Sequence, residues 1–277
     1  MDLFIRESGP TDAPTIVFLH GGLMSGWTWQ PVVERMRQYR CLVPDLPQYG
    51  RSFQQGPFDM KRAADAVADL IRTRVGTGRA HLVGYSLGAQ VGIQLLATEP
   101  QLIDRAVLCS SVVNTMPAVE LTRRVAWLLA RTALFRWLLI TRHWNPLHAA
   151  ANASYRDDAR LNSGQQFAHI AVASAGFTIP EGLDKTDVAT LFVFGDNELD
   201  LMRRWAATLA RSMPKGLDRV AIGMSHDWPL QNPDLFSRTV DAWLSRTALP
   251  PEIGLPTPRC RSPFRALNSR NRLRSWT

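Results

Sequence analysis

Cysteine is scarce. The chain of 277 residues holds three, Cys41, Cys109 and Cys260. Their number is odd and their spacing matches no metal motif, so no bound metal is expected. Cys41 and Cys109 sit in apolar, strand-like runs, where a reduced thiol behaves as a small hydrophobe. That usage points to a reducing compartment, and the expected localisation is cytoplasmic. Long apolar runs are also missing. The longest cluster, "VAWLLARTALFRWLLI" at 125–140, is interrupted by Arg131 and Arg136. It is too short and too charged for a typical membrane-spanning helix. The opening "MDLFIRESGP" has no basic segment followed by an apolar one, so no signal peptide is expected. There is no repeat at a fixed period and no low-complexity block in the body of the chain.

Charge is unevenly placed. The formal net charge is +8, and Ala248–Thr277 holds six arginines against one acid, Glu252. That leaves only +3 on residues 1–247. The tail has no aromatic interleaving and no recognisable nucleic-acid module, so no nucleic-acid partner is expected. Pro-punctuated ("LPPEIGLPTP") and then rich in Arg, Ser and Asn, it reads as a solvated, disordered extension over 247–277.

The chain is long enough for one large α/β domain with a sizeable core. Short apolar runs occur at 15–19, 41–43, 80–84, 105–109, 190–194 and 219–222. They do not alternate with polar residues, which fits strands buried on both faces, as in a parallel sheet. Helical periods lie between them. In 59–74, Met60, Ala63, Ala64, Val67, Leu70 and Ile71 recur at steps of three and four, behind Asp59 as a cap. Residues 87–97, 199–211 and 233–244 give further helices, the last with Pro233 in its first turn. Strands alternating with helices predict a doubly wound α/β fold over 1–246. From about 115 to 180 the alternation stops, and helical patterns rich in Leu, Trp and Arg suggest an inserted lid.

"LVGYSLGAQ" at 82–90 places Ser86 between two glycines, after a strand and before a helix. Gly-x-Ser-x-Gly in that context describes a strained turn that exposes a serine hydroxyl. The helix behind it offers free N–H groups and a partial positive charge, which can stabilise an oxyanion. A serine hydroxyl needs a base. Of six histidines, His226 lies just beyond the strand-like run 219–222, at the carboxyl edge where sites of such sheets form. His20 follows the first core run but sits in "HGG", which suggests another task. His81 is at the wrong edge, and His143, His148 and His169 fall in the inserted segment. One of Asp196, Glu198 and Asp200, in "GDNELD", should orient His226. The glycine-rich "HGGLMSGW" at 20–27 can supply an N–H from Gly22 to pair with that of Leu87 in an oxyanion hole. Trp27 and Trp29 follow it and either line an apolar pocket or pack against the sheet.

These segments resemble the α/β-hydrolase-fold serine hydrolases of the single-domain bacterial esterase type. The match lies in "HGG" at 20–22, "DLPQYGRS" at 45–52, "GYSLG" at 84–88, "GDNE" at 195–198 and "GMSH" at 223–226. It spans roughly residues 1–246. The resemblance implies Ser86 as nucleophile, His226 as base and Glu198 as acid, three residues after Gly195. The usual residue there is Asp, so Asp196 and Asp200 stay as fallbacks. A second acid position known in relatives, after the preceding strand, here holds Asn114. "PQYG" also departs from the common Gly-His-Gly. Asp45 and Arg51 read as braces for the loops.

The expected activity is hydrolysis of a small to medium apolar carboxylic ester through an acyl-enzyme, without a cofactor. The inserted segment is apolar (Val125, Trp127, Leu128, Phe135, Trp137, Leu138), and Trp27, Trp127 and Trp137 are the candidate pocket residues. Two other readings use the same fold. One is a hydrolase of carbon–carbon bonds, for which Arg123, Arg124 or Arg142 could hold a substrate carboxylate. The other is a nearly silent member that binds a small apolar ligand. Docking at a membrane surface through the insertion and the basic tail is the least favoured.

Overall fold

Runs of Val, Ile, Leu and Phe with no polar face have to be covered on both sides, and the computed structural model does this with one eight-stranded sheet. It describes residues 2–113 and 164–256, together with Arg124, Val125, Trp127, Leu128, Thr132, Ser154, Asp158 and Leu161. The strands are β1 (Ile5–Ser8), β2 (Thr15–Leu19), β3 (Arg40–Pro44), β4 (Ala80–Tyr85), β5 (Ile103–Cys109), β6 (Ala189–Gly195), β7 (Gly216–Ala221) and β8 (Ile253–Gly254). Their order across the sheet is β1-β3-β2-β4-β5-β6-β7-β8. The six central strands run parallel, while β1 and β8 pair antiparallel at the two edges.

The described helices are α1 (Gln30–Val33), α2 (Met60–Arg74), α3 (Leu87–Thr98), α4 (Gly164–Ala175), α5 (Asp200–Arg211), α6 (Trp228–Gln231) and α7 (Pro233–Leu244). Asp59 caps α2 by accepting from the Arg62 N–H at 2.9 Å, and Asn232 caps α7 by accepting from that of Leu235 at 3.1 Å. Successive strand residues enter different cores. Val17, Leu82 and Leu108 join α2, α3 and α5 on one side. Phe18, Val83 and Val107 join Trp29, Trp228 and α7 on the other.

The chain runs from β2 to β3 on one side, then crosses to β4 on the other side of β2. Ligand sites of doubly wound sheets form at such a switch, outside the carboxyl ends of the strands. Register brings those ends level. Leu19 pairs with Gly84, Tyr85 with Cys109, Cys109 with Val193, and Gly195 with Ala221. Residues 20–22, Ser86, Ser110, Glu198 and His226 therefore all leave the same edge.

Two strands depart from the sequence reading. Three of the four β1 residues are polar and two are exposed, so it carries no buried-strand pattern. β8 lies inside the segment expected to be disordered, and the boundary expected at 246 is corrected outward. Ile253 is buried, and the Ile222 N–H donates to the Glu252 carbonyl at 2.9 Å. Pairing with β7 here overrides a Pro-rich composition. Residues 257–277 lie outside the described residues, as do Asn114 and most of the expected lid at 115–180, including Trp137.

Candidate active site

Strand β4 ends in Tyr85, and the next residue turns sharply. Ser86 has φ 51° and ψ −110°, a conformation that side-chain-bearing residues rarely adopt. Two close approaches force the flanking glycines. A Cβ on Gly84 would lie 2.7 Å from the Gly88 carbonyl oxygen, and one on Gly88 would lie 2.2 Å from that of Leu19. Neither position has room for a side chain. The Ser86 N–H donates to the Cys109 carbonyl at 2.8 Å, tying the turn to β5.

The loop after β6 carries the three candidate acids, and the fold separates them. Asp196 points to Arg203, 3.8 Å away. Asp200 opens α5. Glu198 faces His226, with Oε2 at 2.8 Å from Nδ1. Its side chain is 2% exposed, against 37% for His226. Its other oxygen, Oε1, accepts from the Gly195 N–H and from the Ser110 hydroxyl, each at 2.7 Å. The acid loop is laced to the histidine loop. The Asn197 N–H donates to the Met224 carbonyl, and its side-chain amide to that of Gly223, both at 2.8 Å. A carboxylate on Nδ1 fixes the tautomer in which Nε2 carries the lone pair that can accept a proton.

His226 also packs on Tyr85, ring centroids 5.4 Å apart. The Tyr85 hydroxyl donates to Asp227 at 2.7 Å. Burial pushes that hydroxyl well above its ordinary range, so it stays a donor. The residue before Ser86 in sequence thus bears on the imidazole.

The loop after β2 approaches from the other side. A Cβ built on Gly22 would stand 3.9 Å from that of Leu87, so the two backbones are neighbours. Leu87 is the first residue of α3, where N–H groups have no partner within the helix. His20, beneath them, is fully buried. Its Nδ1–H donates to the Gly21 carbonyl at 2.8 Å, and its Nε2 accepts from the Leu46 N–H at 2.9 Å. Burial lowers its pKa to about 4, so it is neutral at pH 7. Asp45 is buried and braces the same loops. It accepts from Arg6, from the Gly26 N–H at 2.8 Å and from the Arg51 N–H at 2.9 Å. The Arg51 guanidinium itself stacks 3.9 Å above the Phe4 ring.

Of the two tryptophans that follow the β2 loop, Trp29 is core, packed between Phe18 and Phe236. Trp27 is half-buried, and its indole N–H donates to Asp158 at 2.7 Å. Asp158, from the inserted segment, also accepts from the Ser25 hydroxyl at 3.2 Å. Trp127 lines a groove of about 590 Å³ with Phe58, Met60, Val172 and Phe177. Arg124 is exposed, while Arg123 and Arg142 lie outside the described residues.

Sequence reasoning missed Ser110, Tyr85, Asp158 and Gln90. Gln90 is one turn after Ser86. Its side-chain amide donates to the carbonyls of Val112 at 2.8 Å and Ser174 at 3.0 Å, joining α3 to the exit of β5 and to α4. Ser110, Asp158 and Gln90 belong to no recognisable motif, Tyr85 fills a variable position of Gly-x-Ser-x-Gly, and each finds its partners only in the folded chain.

A model of the alpha/beta hydrolase family matches residues 16–239, so the chain belongs to that family. It is 25% identical over 252 residues to RutD of Serratia proteamaculans, a protein named for carbamate hydrolysis. That match covers 85% of this chain and 92% of RutD. It is 32% identical over 109 residues to the carboxylesterase YbfK of Bacillus subtilis, covering 38% of this chain and 36% of YbfK. The matches to several other curated relatives likewise span only about a third of their length. Among solved structures, the enol-lactonase of Burkholderia xenovorans LB400 superposes with a TM-score of 0.72 at 22% identity. That superposition covers 88% of this chain and 96% of the enol-lactonase. Among the described residues, no helix is long and apolar enough to cross a membrane.

Proposed function

We propose that the protein is a serine hydrolase of small to medium apolar carboxylic esters, acting through an acyl-enzyme. The observation that carries this reading is the Glu198–His226 pair at 2.8 Å, packed beside the strained turn that holds Ser86. Ser86 Oγ attacks the ester carbonyl carbon while its proton passes to Nε2 of His226. The negative oxygen that forms accepts from the N–H groups of Gly22 and Leu87. Glu198, holding Nδ1–H, stabilises the imidazolium. The tetrahedral species then expels the alkoxide, which takes the proton from His226 and leaves as the alcohol. Water, deprotonated by His226, attacks the acyl-enzyme and releases the acid and Ser86.

The relatives' names favour acyl chemistry. A carboxylic ester, a lactone and a carbamate each present a carbonyl carbon bonded to oxygen or nitrogen. The apolar composition of the inserted segment, with Val125, Trp127 and Leu128, favours a substrate with apolar bulk.

The test is turnover of a short-chain aryl ester together with labelling by a fluorophosphonate, for wild type beside Ser86→Ala. Wild type should hydrolyse and label, and Ser86→Ala should do neither. A wild type that labels nothing and turns over nothing would leave a ligand-binding member of the family as the better reading.

A further inference from the structure

We infer that Ser110 is a positioning residue for the Glu198–His226 pair, its hydroxyl holding one carboxylate oxygen so that the other is kept for the imidazole. The kinetic part of this inference rests on the hydrolase reading above, and the geometric part does not.

Ser110 is the first residue after β5. Its side chain is buried, and its backbone has φ 53°. Left-handed backbone at a buried residue other than glycine persists only where the surroundings impose it, and such positions cluster at functional sites. Two contacts impose it here. The Ser110 N–H donates to the Val193 carbonyl at 2.8 Å, extending the β5–β6 ladder by one bond. The Ser110 hydroxyl donates to Oε1 of Glu198 at 2.7 Å. Ser111, next in the chain and also buried, offers a contrast: its hydroxyl has no hydrogen-bond partner among the described residues.

The chemistry of the acceptor explains why this bond matters. A carboxylate has two equivalent oxygens, and a glutamate can turn about its last torsion. Buried, it also needs donors to offset its lost hydration. In this site Oε1 takes both Gly195 N–H and Ser110 O–H, while Oε2 takes His226. Without the hydroxyl, Oε1 keeps only a backbone donor on its own loop. The carboxylate is then freer to rotate and becomes a better proton acceptor. Every protonated form of the Glu198–His226 pair is thereby favoured, so the pair takes up its proton at higher pH.

Among the described residues, the other titratable groups seen to face this carboxylate are Tyr85 on β4 and Cys109 on β5, with Asp227 beyond Tyr85. Burial pushes both the Tyr85 hydroxyl and the Cys109 thiol well up, so neither ionises near neutral pH.

The experiment compares wild type, Ser110→Ala, Ser110→Gly and Ser111→Ala in the full chain. Two quantities are read: the pH profile of kcat/KM on an aryl ester, and the NMR titration of the His226 imidazole. Ser110→Ala and Ser110→Gly should each lower kcat about tenfold to a hundredfold, with KM little changed. In both, the acid limb of the profile and the His226 titration should move to higher pH. Glycine relieves the left-handed backbone, so Ser110→Gly should melt no lower than Ser110→Ala. Activity lost from a variant that stable is not misfolding. Ser111→Ala should match wild type in both readouts. The inference is overturned if both Ser110 variants keep the wild-type His226 titration and profile, whatever their melting temperatures. If wild type hydrolyses no ester, the proposed activity fails, and the imidazole titration alone still decides the role of Ser110.

Discussion

Two loops leave the same edge of the sheet, one after β2 and one after β7, and each carries a histidine. His20 is fully buried, donates to one backbone group and accepts from another. His226 is open to solvent on one side and faces a carboxylate. The first cannot pick up a proton without losing the Leu46 N–H bond and paying for desolvation. The second has a carboxylate beside Nδ1, the partner an imidazolium needs. A histidine at the active edge of a parallel sheet therefore says little by itself. What surrounds its two nitrogens decides whether it holds a loop or moves a proton.

Substituting each in turn sharpens that contrast. The largest effect should come from His226→Ala, which should lower kcat by about 10⁴-fold on an ester substrate. Its melting temperature should change little, since the ring is 37% exposed at the side chain. Glu198→Gln comes next, at about 10³-fold, because the amide keeps the shape but not the charge that stabilises the imidazolium. Steady-state kinetics with calorimetry measures both. A Glu198→Gln variant as fast as wild type would break the comparison, since His226 would then work without its partner.

His20 should show the opposite signature, in stability and not in chemistry. Its pKa is about 4 in the folded chain against 6.5 for an unperturbed histidine. Below pH 6.5 the unfolded chain binds a proton that the folded chain refuses. The stabilisation is thus complete above pH 6.5, is lost as pH falls, and stops changing below about 4. The span amounts to roughly 3 kcal/mol. His20→Gln should cost about 1–3 kcal/mol at pH 7, by disturbing the Gly21 and Leu46 bonds. It should also flatten the decline between pH 6.5 and 4. Urea unfolding across that range reads both, and a variant that declines as steeply as wild type would remove His20 as the cause.

The same contrast separates what was legible in the sequence from what was not. The central strands were legible because Val17, Leu82, Val83 and Leu108 are buried in runs without polar interruption. β1 and β8 were not, because an edge strand needs no apolar face and β8 is two residues long. Ser86, Glu198 and His226 stood out as candidates because each follows a strand and a glycine at recognisable spacing. Ser110 could not. "LCSS" carries no motif, and its bond to Glu198 spans 88 residues of chain. Asp158 reaches Trp27 across 131 residues. The groups proposed for the chemistry leave local patterns, whereas the groups that contact them are set by which strands lie side by side.

Tyr85 touches both loops, and it supplies the smallest and most discriminating test. A Cβ on Gly21 would lie 2.7 Å from its ring, while the His226 ring packs at 5.4 Å on it. Its hydroxyl contributes one further bond, to Asp227 at 2.7 Å. If the ring spaces the two loops and the hydroxyl only anchors it, Tyr85→Phe keeps what matters. Stability should fall by about 1 kcal/mol, a few degrees in melting temperature, for one lost hydrogen bond. kcat/KM should stay within about threefold of wild type, a change worth less than 1 kcal/mol. Tyr85→Ala would empty the space between the loops, costing about 3–5 kcal/mol of stability by analogy with other large-to-small core changes. A Tyr85→Phe variant that instead loses activity as heavily as Glu198→Gln would mean that the Tyr85–Asp227 bond, and not the ring, holds His226 in place.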